Sequence, residues 1–396
     1  MRNINGCHLF NDGGDGNHQY SDGWDRALAM AGPYGAVTML HTVLHWYPTI
    51  RARYPQLLIN LRFYTDNWTS RDARVWAREN FQMVADTQPA MLQDPYVSWF
   101  GLNEQDLRHE GDSEGAYWNS EGDHRLNVAG STFDRIFAYQ FDYVDEMQML
   151  KARHGVKAQI GCLALADGHE PEGEPPDNQY TRDSCKKVAA RADVIWAHAY
   201  IRSDFWGDTP DREGYWLGLR PLRPLGYRER VQGLPPMAGI PDPGGVGTQF
   251  PGKIKLLVEC GNANHGNTDP NAVNMTADQL RTLYWAYSHA GGWGCCTPFV
   301  WDTGSEHGFA RFAGNPVLVQ RMIDMERIPA ADWPLGEGSV TIEEKVDMLL
   351  RQNALITEAL KALRQGKFTG ADGVDGYIVA LQGGQPLSFV ASWPPK

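Results

Sequence analysis

Residues 254–301 read IKLLVECGNANHGNTDPNAVNMTADQLRTLYWAYSHAGGWGCCTPFVW. A short apolar run, Ile254–Glu259, is followed by a polar loop and an amphipathic segment at Ala277–Ala290. A second short apolar run follows at Gly294–Trp301. Runs of this length, near-continuous in hydrophobicity, suit strands covered on both faces, and the segment between them has the length and period of a helix. Parallel neighbours need a crossover of a dozen or more residues, so the stretch predicts a parallel strand–helix–strand unit.

The same alternation extends outward to the N-terminus. Strands are predicted at Ile4–Phe10, Ala36–Thr42, Leu57–Tyr64, Tyr96–Glu104, Ala158–Ala166 and Val194–Ile201. Helices are predicted at Gly23–Ala31, Leu44–Arg53 (broken by Pro48), Ser70–Thr87 with Ser70 as N-cap, Thr132–His154, Asp183–Ala192 and a short Gly226–Gln232. Pro316–Glu326 is the helix that closes the set. The strand ends run from position 10 to position 301, spaced by about 42 residues, against the ~30 a βαβ unit requires. An open doubly wound sheet would carry G-x-G-x-x-G after its first strand, whereas the turn here reads NDGGDGNH. Eight repeats favour closure into a (β/α)8 TIM barrel over residues 1–330. Residues 331–396 form a C-terminal extension, a long helix within Thr341–Gly366 and a β-hairpin of Gly376–Gln382 and Leu387–Ser392 about GGQP. The extension either packs on the barrel or links it to a further domain.

Composition narrows the function classes. The 396 residues carry 36 basic and 48 acidic side chains, a net charge of −12, with no basic stripe for phosphates; Arg220–Arg230 is interrupted by Pro221, Pro224 and Gly226. Nucleic acid is therefore not an expected partner. No run approaches the ~18 apolar residues of a membrane helix. MRNINGCHLFNDGGDG at the N-terminus has no hydrophobic leader core, so the chain as given is expected to be cytoplasmic, or secreted if a leader has been lost. Six cysteines without C-x-x-C point to reduced, buried thiols rather than a zinc ribbon or redox pair. Aromatic residues, 11% of the chain, suit a core and also a groove that stacks flat apolar ligand faces.

In a barrel the reactive side chains project from the C-terminal strand ends. Those ends offer His8, His41, Arg62 and Tyr64, Asn103 with Glu104, His198 with Tyr200, Glu259, and Trp301 with Asp302. Glu104 and Glu259 end strands four and seven, nearly opposite around a circle of eight. Two carboxyl groups across a cleft are what glycosidic bond cleavage needs, one to protonate the leaving oxygen and one to meet the oxocarbenium-like centre. Asn103, His198, Tyr200 and Arg62 are donors of the kind that tune such a pair.

WFGLNEQD (Trp99–Asp106), AHAY (Ala197–Tyr200), LLVECGN (Leu256–Asn262) and PFVWDT (Pro298–Thr303) resemble the signatures of clan A glycoside hydrolases, the 4/7 superfamily. The resemblance implies a retaining glycosidase with Glu104, after Asn103, as acid/base and Glu259 as nucleophile. It implies that Tyr200, paired with His198, orients Glu259, and that Trp301 forms a platform under the sugar. It extends over about residues 4 to 310. Two features depart from the clan pattern: its arginine near the nucleophile comes from strand two, whereas Arg62 ends the third run here, and Gln105 stands where many members have proline. The substrate expected is an oligo- or polysaccharide, with no cofactor and no metal. Tyr64, Trp68, Trp99, Trp206, Trp301 and Phe309 are candidate stacking surfaces, and Asn262, Asn264, His265, Glu306 and His307 candidate hydroxyl contacts.

Two other classes compete. A non-catalytic carbohydrate-binding or structural barrel module would use the same mouth without turnover. A metal-dependent barrel hydrolase would use His8, His41 and His198, but no H-x-H occurs on strand one and no acidic residue accompanies these histidines at ligand spacing. Asp12, Asp15, Asn17 and Asp22 lack the order of an EF-hand loop. No G-x-S-x-G occurs, and GGVGTQ at Gly244–Gln249 lacks the Lys-Ser/Thr of a phosphate loop.

Overall fold

The computed structural model describes residues 2–9, 24–64, 71–103, 132–165, 179–201, 245–262, 270–299, 315–333, 377–379 and 388–390. The chain divides into two compact units, Arg2–Pro334 and, with Met1, Leu335–Lys396.

The first unit is a (β/α)8 barrel. Its strands are β1 (Gly6–Leu9), β2 (Ala36–Leu40), β3 (Leu58–Arg62), β4 (Val97–Phe100), β5 (Gln159–Leu163), β6 (Val194–Ile201), β7 (Ile254–Asn262) and β8 (Trp293–Pro298). They pair in sequence order, every pair parallel. Closure comes from a parallel bridge between Asn5 and Cys296, with the Cys296 N–H donating to the Ile4 carbonyl at 2.8 Å. Gly6 permits that closure, because a Cβ there would stand 2.7 Å from the Cys296 oxygen and 2.8 Å from the Ala36 oxygen on the opposite neighbour. The helices are α1 (Trp24–Ala31), α2 (Tyr47–Arg53), α3 (Ala73–Thr87), α4 (Thr132–His154), α5 (Asp183–Arg191), α6 (Val246–Gln249), α7 (Pro270–Ala290) and α8 (Pro316–Asp324).

Several local expectations are corrected. The second strand stops at Leu40, and His41–Trp46 forms a 3₁₀ segment. Pro48 lies in the first turn of α2, where its missing N–H costs nothing, so it starts the helix instead of breaking it. The N-cap of α3 is Asp72 rather than Ser70: its carboxylate accepts from the N–H groups of Arg74 at 3.0 Å and Val75 at 2.9 Å. A carboxylate at that end also meets the positive pole of the helix dipole. Strand β7 runs past Glu259 to Asn262, and α7 begins at Pro270, seven residues before the predicted start. The predicted helix at Gly226–Gln232 lies outside the described residues.

The barrel wall shows why the apolar runs were so continuous. Trp99 is buried between Phe63, just past β3, and Phe81 of α3, with ring centroids at 6.4 and 6.5 Å. It is therefore a core residue and not a sugar platform. Trp196 occupies space left by Gly161, where a Cβ would fall 2.5 Å from the indole nitrogen. All six cysteines are free and buried. Among the described residues no helix is long and apolar enough to cross a membrane.

In the second unit the described residues are β9 (Tyr377–Val379) and β10 (Ser388–Val390), paired antiparallel with Phe389 opposite Ile378. They occupy the two arms of the predicted hairpin. The predicted helix within Thr341–Gly366 lies outside the described residues.

Candidate active site

Glu259 reaches the barrel interior through an irregularity in β7. Across the ladder, Leu256 pairs with Trp196, Leu257 with Ala197, and Glu259 with His198. Trp196 and His198 are two residues apart and share one face, yet their partners are three apart. Strict alternation would send Leu256 and Val258 to that face and Glu259 to the other. One extra residue, Val258, forms a bulge that resets the parity and turns Glu259 inward. The ladder to β8 shifts at the same place, since Leu257 pairs with Cys296 and Cys260 with Pro298.

Four side chains from four strands then meet at the C-terminal mouth. The Glu259 carboxylate is buried and accepts a hydrogen bond from Nη1 of Arg62, the last residue of β3. His8 of β1 brings Nε2 to 3.8 Å from Oε1, and His198 of β6 brings Nδ1 to 3.7 Å from Oε2. A buried carboxylate is costly unless a cation and hydrogen bonds compensate it, and Arg62 supplies both. The arginine thus sits on the third strand, as counted, and still contacts Glu259.

The flanking groups have definite electrostatics. Burial, reinforced by the Arg62 and His198 charges, holds His8 well below the ordinary histidine range, so its imidazole is neutral at pH 7. Its ring stands edge-on to Phe299 with centroids 4.8 Å apart, and neither nitrogen has a hydrogen-bond partner among the described residues. His41 is also lowered by burial, and its Nδ1 accepts the Tyr64 N–H at 3.2 Å, which fixes the exit of β3. The Tyr64 ring is half-buried against the Arg62 guanidinium, 5.6 Å from centroid to Cζ. Asn103, just beyond β4, is buried, and its Oδ1 has no partner among the described residues.

Arg62 ends β3, Tyr64 and Asn103 lie just beyond β3 and β4, and His198 and Glu259 lie three residues before the ends of β6 and β7 rather than at them. The backbone of Tyr200 pairs with Gly261 on β7; its side chain lies outside the described residues. So do Glu104, Trp68, Trp206, Trp301, Phe309, Asn264, His265, Glu306, His307 and the side chain of Asn262. Among the described residues no group of three or more His, Cys, Asp or Glu side chains is arranged to hold a metal ion.

Two features escaped sequence reading. At the end of β5, Leu163 and Ala164 adopt φ of 79° and 42°, a left-handed conformation unfavourable for both. Buried Gln140 of α4 holds it, donating to the Leu163 carbonyl at 3.0 Å and accepting its N–H at 3.1 Å. The other is a line of buried polar side chains, Ser98, Asn60, Thr38 and Thr297, crossing the barrel. Each is a lone polar residue within an apolar run, on β4, β3, β2 and β8; that pattern was the available signal.

No protein-family model matches the chain, and no curated protein matches it in sequence. Among solved structures it is similar to a calcium-binding mutant of Bacteroides uniformis beta-glucuronidase 2, at 11% identity and a TM-score of 0.43. That match covers 78% of this chain and 32% of that one, so the chain spans about a third of that enzyme. It is similar to the hyperthermostable endo-1,4-beta-D-mannanase of Thermotoga petrophila, at 11% identity and a TM-score of 0.42, over 81% of this chain and 98% of that one. A 4-O-alpha-L-rhamnosyl-beta-D-glucuronidase of Fusarium oxysporum gives 8% identity and a TM-score of 0.46, over 81% and 70%. The barrel assignment rests on strand order and register, not on these likenesses.

Proposed function

We propose that the protein is a retaining glycoside hydrolase acting on an oligo- or polysaccharide, with Glu259 as nucleophile and Glu104 as acid/base. The observation that carries this reading is the buried Glu259 carboxylate, bulged inward at the C-terminal mouth against Arg62 and between His8 and His198. Pairing with a guanidinium keeps a carboxylate ionised and oriented, as a nucleophile requires.

In the first step a Glu259 oxygen bonds to the anomeric carbon as the glycosidic C–O bond breaks. Glu104 gives its proton to the leaving oxygen. In the second step Glu104 takes a proton from water, the water oxygen bonds to the anomeric carbon, and the ester to Glu259 breaks. The enzyme returns to its starting state, with one water consumed. Asn103 stands immediately before Glu104, and its Oδ1, without a partner among the described residues, is suited to a sugar hydroxyl. Tyr64, Trp68, Trp206 and Trp301 are the proposed sugar-stacking surfaces, and Tyr200 the proposed orienter of Glu259. This chemistry requires carboxyl groups about 5–5.5 Å apart.

The test is reducing-end release from a panel of aryl β-glycosides and polysaccharides, comparing the unsubstituted protein with Glu259→Gln and Glu104→Gln. Turnover abolished in Glu259→Gln, with folding intact, supports the assignment. Turnover retained in that variant removes it, and sugar binding without any turnover by the unsubstituted protein favours a binding module.

A further inference from the structure

We propose that a directed chain of buried hydrogen bonds, Ser98 to Asn60 to Thr38 to Thr297, is the positioning device that aims Glu259. The proposal rests on the reading of Glu259 as nucleophile for its kinetic consequence, and on the fold alone for its structural one.

The chain ends on the bulge. The Thr297 hydroxyl lies 2.6 Å from the carbonyl of Val258, the extra residue, and 3.2 Å from that of Leu257. A carbonyl only accepts, so Thr297 spends its single proton there and must accept at its own oxygen. The Thr38 hydroxyl, 2.8 Å away, is then the donor to Thr297. Thr38 in turn accepts from Asn60 Nδ2 at 3.3 Å, and Asn60 Oδ1 accepts from the Ser98 hydroxyl at 2.9 Å. Every link points the same way, from β4 through β3, β2 and β8 to β7.

All four side chains are fully buried. Barrel interiors are normally filled by branched aliphatic residues, and polar groups placed there are costly unless satisfied. Here four adjoining positions are polar, and the line terminates on the two carbonyls preceding Glu259. A bulge leaves its extra residue outside the ladder, so an added donor at Val258 holds a conformation that strand pairing alone does not fix. The parity of Glu259 depends on that conformation. Ser98, Asn60, Thr38 and Thr297 do not contact the carboxylate and are positioning residues, not catalytic ones.

The test uses the full-length protein with Thr297→Val, Thr297→Ser and Thr38→Val. Crystal structures report where the Glu259 carboxylate sits. Kinetics are measured on whichever aryl β-glycoside the unsubstituted protein hydrolyses fastest. Thr297→Val keeps the side-chain shape but removes the donor. It is expected to withdraw Glu259 from Arg62 and lower kcat roughly 10- to 100-fold with little change in KM, the size of loss that a misplaced reacting group produces. Thr297→Ser is expected to restore most of that loss, which a packing role would not do. Thr38→Val, which leaves Thr297 its proton but removes its donor, is expected to lose less. Glu259 still on Arg62 with unchanged turnover in Thr297→Val overturns the proposal. Should that variant not fold, the same two readouts on Thr38→Val decide it: a displaced Glu259 and lowered kcat support it, an unmoved Glu259 and unchanged kcat overturn it. If the unsubstituted protein hydrolyses no glycoside, the functional reading fails, while the position of Glu259 still decides whether the chain aims it.

Discussion

Replacing His8 with asparagine isolates one buried titration. Burial and the charges of Arg62 and His198 depress the folded-state pKa of His8 well below its ordinary value, while the carboxylate 3.8 Å away is already engaged by Arg62. In the unfolded chain His8 titrates near the usual ~6.5. Below that pH the unfolded state takes up a proton that the folded state refuses. The stability His8 contributes is therefore present above about pH 6.5 and lost as pH falls. Full exclusion of one proton sets the upper limit of this slope, about 1.4 kcal/mol per pH unit. His41, lowered in the same direction, contributes equally to both proteins and cancels in the comparison. Urea unfolding followed by tryptophan fluorescence between about pH 5 and pH 7 should show the unsubstituted protein losing stability more steeply than His8→Asn, by up to that slope. Parallel slopes would show that folded His8 takes up its proton as readily as the unfolded chain does, and the lowered titration of His8 would have to be abandoned.

Other substitutions test how the site is held. Gln140→Leu strips Leu163 of partners for both its N–H and its carbonyl; a loss of about 1–3 kcal/mol per orphaned group is expected, read as a lowered thermal midpoint. Gly161→Ala drives a methyl into the Trp196 indole and should cost about 1–3 kcal/mol, with a changed near-ultraviolet tryptophan signal. Asp72→Ala removes the cap of α3 and should cost about 1 kcal/mol in urea unfolding without altering turnover.

The barrel was legible because both faces of each strand are covered, so the strands appear as apolar runs broken only by isolated polar residues, such as Asn60 in β3 and His198 in β6. The same property blurred their ends. Val43 and Leu44 are as buried as the strand before them, so hydrophobicity could not separate β2 from the 3₁₀ segment that follows. The candidate site was legible as residue types towards the C-terminal ends of strands: Arg62 closes β3, Asn103 follows β4, and His198 and Glu259 lie in the last halves of β6 and β7. What sequence could not convey was parity. Val258 is an apolar residue among apolar residues, and nothing in LLVEC marks it as the extra one, although the direction of Glu259 turns on it. The Thr38–Thr297 contact joins residues 259 positions apart, and no local pattern announces such a pairing. Left-handed Leu163 was hidden for a related reason, since a leucine gives no sign of an unusual φ and its support, Gln140, comes from a different element.

The most direct measurement of the central claim is intact-mass and peptide mass spectrometry after incubation with a 2-deoxy-2-fluoro aryl glycoside matched to the preferred substrate. A retaining mechanism through β7 predicts one fluorosugar per chain, esterified to Glu259, together with loss of activity that returns as the ester turns over. A label on any other carboxylate, or inactivation without a covalent sugar, would contradict it.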